Sequence, residues 1–167
     1  TSIKVTWAAA GNATAYKIYQ CYGTGSFQLV HTASATSRSW VSTGLKTGVL
    51  YFYRIYPVVG TKTYSFSDFK YTKPVPAMPT TTLSKYSSRA IKVSWTGVSG
   101  ATKYQIFRAT SATGTYTYLY TAASTASYWV NTGLTTVKTY YYKVRAYHLE
   151  GTTKVYGSSS AVKYLKI

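Results

Sequence analysis

The chain is 167 residues long, 46% hydrophobic and 17% aromatic, which is length enough for two domains of roughly 80 to 90 residues, each with its own core. Its 19 Lys and Arg stand against two acidic residues, Asp68 and Glu150, for a formal net charge of +17, and its one cysteine, Cys21, allows no internal disulfide. Carboxylate-pair catalysis, an acidic calcium cage and a disulfide-stapled scaffold are thereby set aside, and no apolar run is long enough to cross a membrane.

In chain order, residues 1–7 alternate apolar and polar side chains through Ile3-Lys4-Val5-Thr6-Trp7 and read as a strand, ended by the small residues Ala8 to Asn12. A second strand is expected at about 15–20. The turn Gly23-Thr24-Gly25 then leads to Phe27-Gln28-Leu29-Val30. Ser39-Trp40-Val41 reads as a strand before a corner at Leu45, the next strand covers about 50–57, and after Gly60-Thr61 a last strand is expected from Thr63 to Lys70. Pro74, Pro76 and Pro79 then mark a linker at 74–79, expected to act as a short semi-rigid spacer that makes a rod of the two domains. Thr80 to Lys85 opens a second series of strands that runs to Ile167.

That second series repeats the first. Ile91 lies 88 residues after Ile3, and Ile91-Lys92-Val93-Ser94-Trp95 restates Ile3-Lys4-Val5-Thr6-Trp7. Tyr104-Gln105-Ile106-Phe107 restates Tyr16-Lys17-Ile18-Tyr19, and Gly133-Leu134 followed by Tyr140 restates Gly44-Leu45 followed by Tyr51. Leucine, tyrosine six residues later, and alternating apolar positions after it resemble the E-to-F corner of fibronectin type III domains. The other two pairs resemble strands B and C of that family. The resemblance implies an all-β chain of two tandem immunoglobulin-like sandwiches at 1–73 and 80–167. It also implies that Tyr51 and Tyr140 bond back to the corners at Leu45 and Leu134. The strand from Lys138 to Tyr147 resembles bacterial members more than animal ones, although Ser42 and Asn131 stand where bacterial copies often carry aspartate before the corner. The first copy begins at its strand B without a strand A. Either preceding residues are absent from this chain, which starts at Thr1 with no methionine or leader-like segment, or a neighbouring molecule supplies the strand.

Trp7 with Trp95 and Trp40 with Trp129 occupy equivalent positions and are expected in the cores. The twenty tyrosines exceed what two cores absorb. On the sheet of strands C, F and G the outward positions are Lys17, Tyr19, Phe52, Arg54 and Tyr56 in the first domain, and Gln105, Phe107, Tyr141, Lys143, Arg145 and Tyr147 in the second. Rings interleaved with cations suit three roles: stacking on sugars or bases beside an anionic group, a protein interface, or cross-strand support of an exposed sheet. Basic residues recur at Lys4 and Lys92, Arg54 and Lys143, Lys62 and Lys154, and Lys70 and Lys163, spreading positive potential over both sheets rather than along one groove. His31, His148 and Cys21 align with Tyr120, Val59 and Ala109, so none recurs. No metal-ligand spacing, cofactor motif or catalytic constellation is found. Asn12-Ala13-Thr14 is a glycosylation sequon in a turn.

The expectation is a non-catalytic, extracellular or cell-surface structural module, rod-like, that builds a surface assembly or filament through edge and tyrosine-rich face contacts. Its partners are then copies of itself or neighbouring domains. The alternative is an adhesion module that attaches a larger secreted protein to an anionic polymer: a cell-wall polyanion, acidic polysaccharide or nucleic acid bound without sequence readout. Accessory domains of a secreted glycan-degrading enzyme are a third reading. No membrane insertion is expected. An acidic habitat would also account for the missing carboxylates, since protonating both acids and both histidines moves the charge only from +17 to +21.

Overall fold

The computed structural model describes residues 1–167 as fifteen β-strands without a helix, divided into two compact units, Thr1–Pro74 and Val75–Ile167. In the first unit β1 (Ile3–Thr6) pairs antiparallel with β4 (Ser39–Ser42) alone. The facing sheet runs β3 (Gln28–Ser34), β2 (Ala15–Tyr22), β5 (Tyr51–Val59), and the far edge of β5 takes first β6 (Lys62–Thr63) and then β7 (Lys70–Thr72).

The second unit repeats this plan with one addition. Its smaller sheet has three strands, β8 (Thr81–Ser87), β9 (Ala90–Trp95) and β12 (Tyr128–Asn131), with β9 in the middle. The larger sheet runs β11 (Thr117–Ala123), β10 (Lys103–Ala109), β13 (Thr139–Glu150), and β13 then pairs β14 (Thr153–Ser159) and β15 (Lys163–Lys166). Both units are therefore all-β sandwiches, as the repeat predicts.

Period-2 alternation puts each core in place. Along β13, Tyr140, Tyr142, Val144 and Ala146 turn inward and are buried; Tyr51, Tyr53 and Ile55 do the same on β5. They meet Ile91, Val93 and Trp95 from the opposite sheet in the second unit, and Ile3 and Val5 in the first. Each such side chain contributes roughly 1.5–3 kcal/mol on burial.

The corner tyrosines behave as the resemblance implies. The Lys46 N–H donates to Tyr51 Oη at 3.0 Å and the Thr135 N–H to Tyr140 Oη at 3.0 Å, around Gly44 and Gly133 with φ of 70° and 69°. Those positive angles are open to glycine at little cost. A second duplicated clamp escapes the sequence reading: Ala10 N–H donates to Tyr16 Oη at 2.9 Å and Val98 N–H to Tyr104 Oη at 2.8 Å. Each of these buried hydroxyls is thereby satisfied, as burial requires.

Two expectations need correction. The strand expected from Thr63 to Lys70 is broken: Thr63 pairs Val58 and Lys70 pairs Tyr53, so the edge segment takes seven steps where β5 takes five, and residues 64–69 leave the regular ladder, keeping to β5 through the Tyr64 N–H to the Pro57 carbonyl at 3.0 Å and the Ser67 N–H to the Ile55 carbonyl at 2.9 Å. Pro57 lies in the stretch of β5 they would have paired and has no N–H to offer the ladder. The four tryptophans also divide. Trp95 is buried, whereas Trp7, Trp40 and Trp129 are partly buried against the cores, Trp7 beside Tyr16, Trp40 stacked on His31 at 4.9 Å and Trp129 on Tyr120 at 5.5 Å. Trp40 and Trp129 pack on the margin of each core and link β4 to β3 and β12 to β11 through these stacked rings.

The proline segment is packed. Pro76 and Pro79 are fully buried within the second unit, and Gly157 passes so near the Pro76 carbonyl that a Cβ would overlap it. Only glycine fits that approach.

Candidate functional site

In the first unit, strand alternation sends Lys17, Tyr19, Phe52, Arg54 and Tyr56 to the outer face of β2 and β5, where all five are partly exposed. The rings meet in pairs: Tyr19 with Tyr56 at 5.0 Å, Tyr56 with Phe66 at 5.4 Å, Phe52 with Phe69 at 6.0 Å and with Tyr71 at 5.7 Å. The Arg54 guanidinium lies 4.3 Å from the Phe27 ring centre and 4.4 Å from that of Phe66. Its Nε is buried without a hydrogen-bond partner, so the rings hold this cation through their π faces.

The second unit builds a matching face from different positions. Arg145 sits over Tyr156 at 4.0 Å and Phe107 at 5.4 Å while its Nη2 donates to Gln105 Oε1 at 2.8 Å. Lys143 sits over Tyr116 at 4.0 Å, and Tyr141 meets Tyr164 at 5.5 Å. Lys143, not Arg145, is the sequence counterpart of Arg54, so the ring-held arginine has moved along the strand by two residues. An arginine among rings recurs although its register does not.

Tyr147 is a correction. Expected outward, it is only 4% exposed, because β14 sets Tyr156 directly opposite it and Lys154 reaches over its ring at 5.7 Å. Residues that the sequence reading did not place on the faces carry much of both: Phe27, Phe66, Phe69 and Tyr71 in the first, Tyr116, Tyr118, Tyr156 and Tyr164 in the second. Tyr71 and Tyr164, 63% and 68% exposed, are the most open rings of the two faces. The alternation Tyr116, Tyr118, Tyr120 was the available signal for the second group.

Inside the sandwiches, burial pushes the Tyr53 and Tyr142 phenols above the ordinary tyrosine range, against the opposing pull of Ser42 and Asn131; the Asn131 Nδ2 donates to Tyr142 Oη at 2.8 Å. Burial also raises Tyr116, helped by Tyr141. At Tyr140 burial works in the same direction, but the Thr135 hydrogen bonds and the charges of Arg108 and Lys138 outweigh it and the phenol ends lowered. These shifts belong to packing and to the corner. The outer faces offer flat rings and fixed cations, suited to stacking and to contact with anionic or aromatic surfaces.

No protein-family model matches the sequence, and no curated protein matches it. Among solved structures, a two-domain fibronectin type III segment of chicken tenascin matches over 100% of this chain and 93% of its own, with a TM-score of 0.65 and 16% identity. The chicken CNTN1 FN1–FN3 domains match over 98% of this chain and 59% of their own, with a TM-score of 0.49 and 18% identity. With the duplicated tyrosine corners and the shared strand order, the tenascin likeness carries the conclusion: the chain consists of two tandem domains of the fibronectin type III fold.

Proposed function

We propose that the chain is a non-catalytic structural module of an extracellular surface assembly, joined to copies of itself or to neighbouring domains through its aromatic faces and its open sheet edge. The observation that carries this reading is the exposure of ordered rings, above all Tyr71 and Tyr164, on faces already stiffened by ring pairs and ring-held arginines. Rigid, amphipathic rings lose little freedom when covered, which suits them to protein contacts. Electron micrographs of the purified chain at low and high salt test it. Ordered strings or filaments are expected at both, and are expected to be lost in a Tyr71→Ser, Tyr164→Ser double variant. Dispersed particles at both salts overturn the reading.

The net charge of +17 favours a second reading, a module that holds a larger protein to an anionic polymer. Lys46, Lys62, Lys103, Lys138 and Lys166 are exposed and give a broad positive surface. Binding to a sulfated polysaccharide that falls steeply with added salt, by a chain that stays monomeric, would replace the assembly reading with this one.

A further inference from the structure

Both sandwiches leave the same side open, and that side carries almost no charge. β3 and β11 each end the larger sheet, pairing only β2 and β10, while β4 and β12 end the smaller one. The stacks of His31 on Trp40 and of Tyr120 on Trp129 bring the two edges of each sandwich together. Residues 18–37, 39–45 and 109–137 contain no Lys, Arg, Asp or Glu, in a chain with 19 Lys and Arg. Arg38, between β3 and β4, turns its Nη1 back to donate to the Ala35 and Ser37 carbonyls at 2.7 and 2.6 Å. Exposed edges are ordinarily guarded by lysine, proline or a bulge. Here only the bulge is present, at Val30 and its counterpart Leu119, and it leaves His31–Ser34 and Tyr120–Ala123 as regular open runs. The second unit keeps this side open although β8 is in place, with Leu83 packed on the core, because β8 pairs the flank of β9 away from β12.

We propose that copies of the chain join along this side, the open run of β3 pairing antiparallel with β3 of a second copy and that of β11 with β11 of another. The contact rests on the assembly reading above and gives it named strands. A net charge of +17 makes two copies repel, and they repel least where neither carries charge. A polyanion has the opposite requirement and is drawn to the lysines elsewhere. Neighbouring parts of the same chain enter a sandwich through β1 or β8 and leave it through β7 or β15, and none of these strands pairs β3 or β11. Antiparallel pairing of like edges sets two copies about a twofold axis, and two such edges per chain let the contacts alternate into a string. Leu29 and Val30 beside one run, 48% and 39% exposed, and Tyr120 in the other, 44% exposed, supply apolar surface that the contact covers.

Hydrogen exchange and sedimentation velocity on the full chain, over rising concentration, test this contact. Association is expected together with slower exchange along His31–Ser34 and Tyr120–Ala123. A Thr32→Lys, Ala123→Lys variant puts one charge on each run at exposed positions, and is expected to need about tenfold more protein for the same association. A Thr61→Lys, Thr152→Lys variant adds the same charge at exposed turn positions of each unit, and is expected to associate as the unaltered chain does. Melting curves check that both variants are folded. Exchange that slows only around Tyr71 and Tyr164 overturns the edge contact and leaves assembly through the aromatic faces standing. Equal weakening by the two lysine pairs would assign the effect to total charge and overturn the edge contact too. A chain that stays monomeric at every concentration and salt sinks the assembly reading itself, and the edge contact with it.

Discussion

Val137 adopts a φ of 62° while 73% exposed, the one non-glycine residue with a positive φ. Its counterpart is Gly48, at 84°. Both hold the same turn, since the Val137 N–H donates to the Ile167 carbonyl at 2.6 Å and the Gly48 N–H to the Pro74 carbonyl at 3.0 Å. A β-branched residue there strains against its own carbonyl at a cost of about 1–2 kcal/mol, while glycine in its place costs about 0.5–1 kcal/mol in chain freedom. Val137→Gly is therefore expected to stabilise the second domain by up to about 1 kcal/mol in denaturant melts. No change, or a loss, would mean the turn is not strained. The position shows how legibility fails at single residues. The repeat aligned Val137 with Gly48, yet a valine ahead of a tyrosine strand reads locally as more strand, and only the backbone angle displays the conflict.

At the scale of the strand, β5 and β13 carry the behaviour in alkali. Tyr53 and Tyr142 have phenols raised by burial, so the fold holds them neutral where the unfolded chain would ionise them, from about pH 10 upward. Their contribution is complete below pH 10 and drains away as pH climbs through the higher folded value. Tyr140 has the opposite sign: its lowered phenol adds stability once it ionises, partly offsetting Tyr142 in the second domain. Chemical denaturation from pH 8 to 12 should thus show the stability that Tyr53 gives the first domain being lost only above pH 10. A loss that begins near neutrality would contradict these assignments.

The same two strands were the most readable part of the sequence, because a half-buried strand writes its period directly into alternating residues. The segment after β5 was misread for the reverse reason. Residues 61–72 are exposed on every side, so no buried face imposes a period on them, and the aromatic residues there looked like strand whether in the ladder or out of it. Tyr147 misled through its partner, since alternation gives the face of a side chain but not what a later strand lays over it. Ring pairs such as Phe52 with Phe69 join residues that only the folded hairpin brings together.

For the molecule as a whole, duplication makes the domains alike in plan and unlike in closure. The first has a two-stranded outer sheet and a core that water still touches; the second has a third strand and a sealed core. Calorimetry is expected to resolve two transitions, the first domain melting below the second, and truncation of Leu83 to alanine should lower only the upper one. A single transition would show that the open edge costs nothing.

The uncovered strand β1 has a mechanical side as well. A pull applied through Thr1 arrives almost at once on β1, which is stitched to the rest of its sandwich by the short ladder to β4 and by no strand on its other flank. A pull entering the second domain from Pro79 arrives on β8, which must be stripped from a longer ladder along β9 before that core is reached. Under tension applied at these two points, the first domain is expected to yield at a lower force than the second, which single-molecule pulling would check.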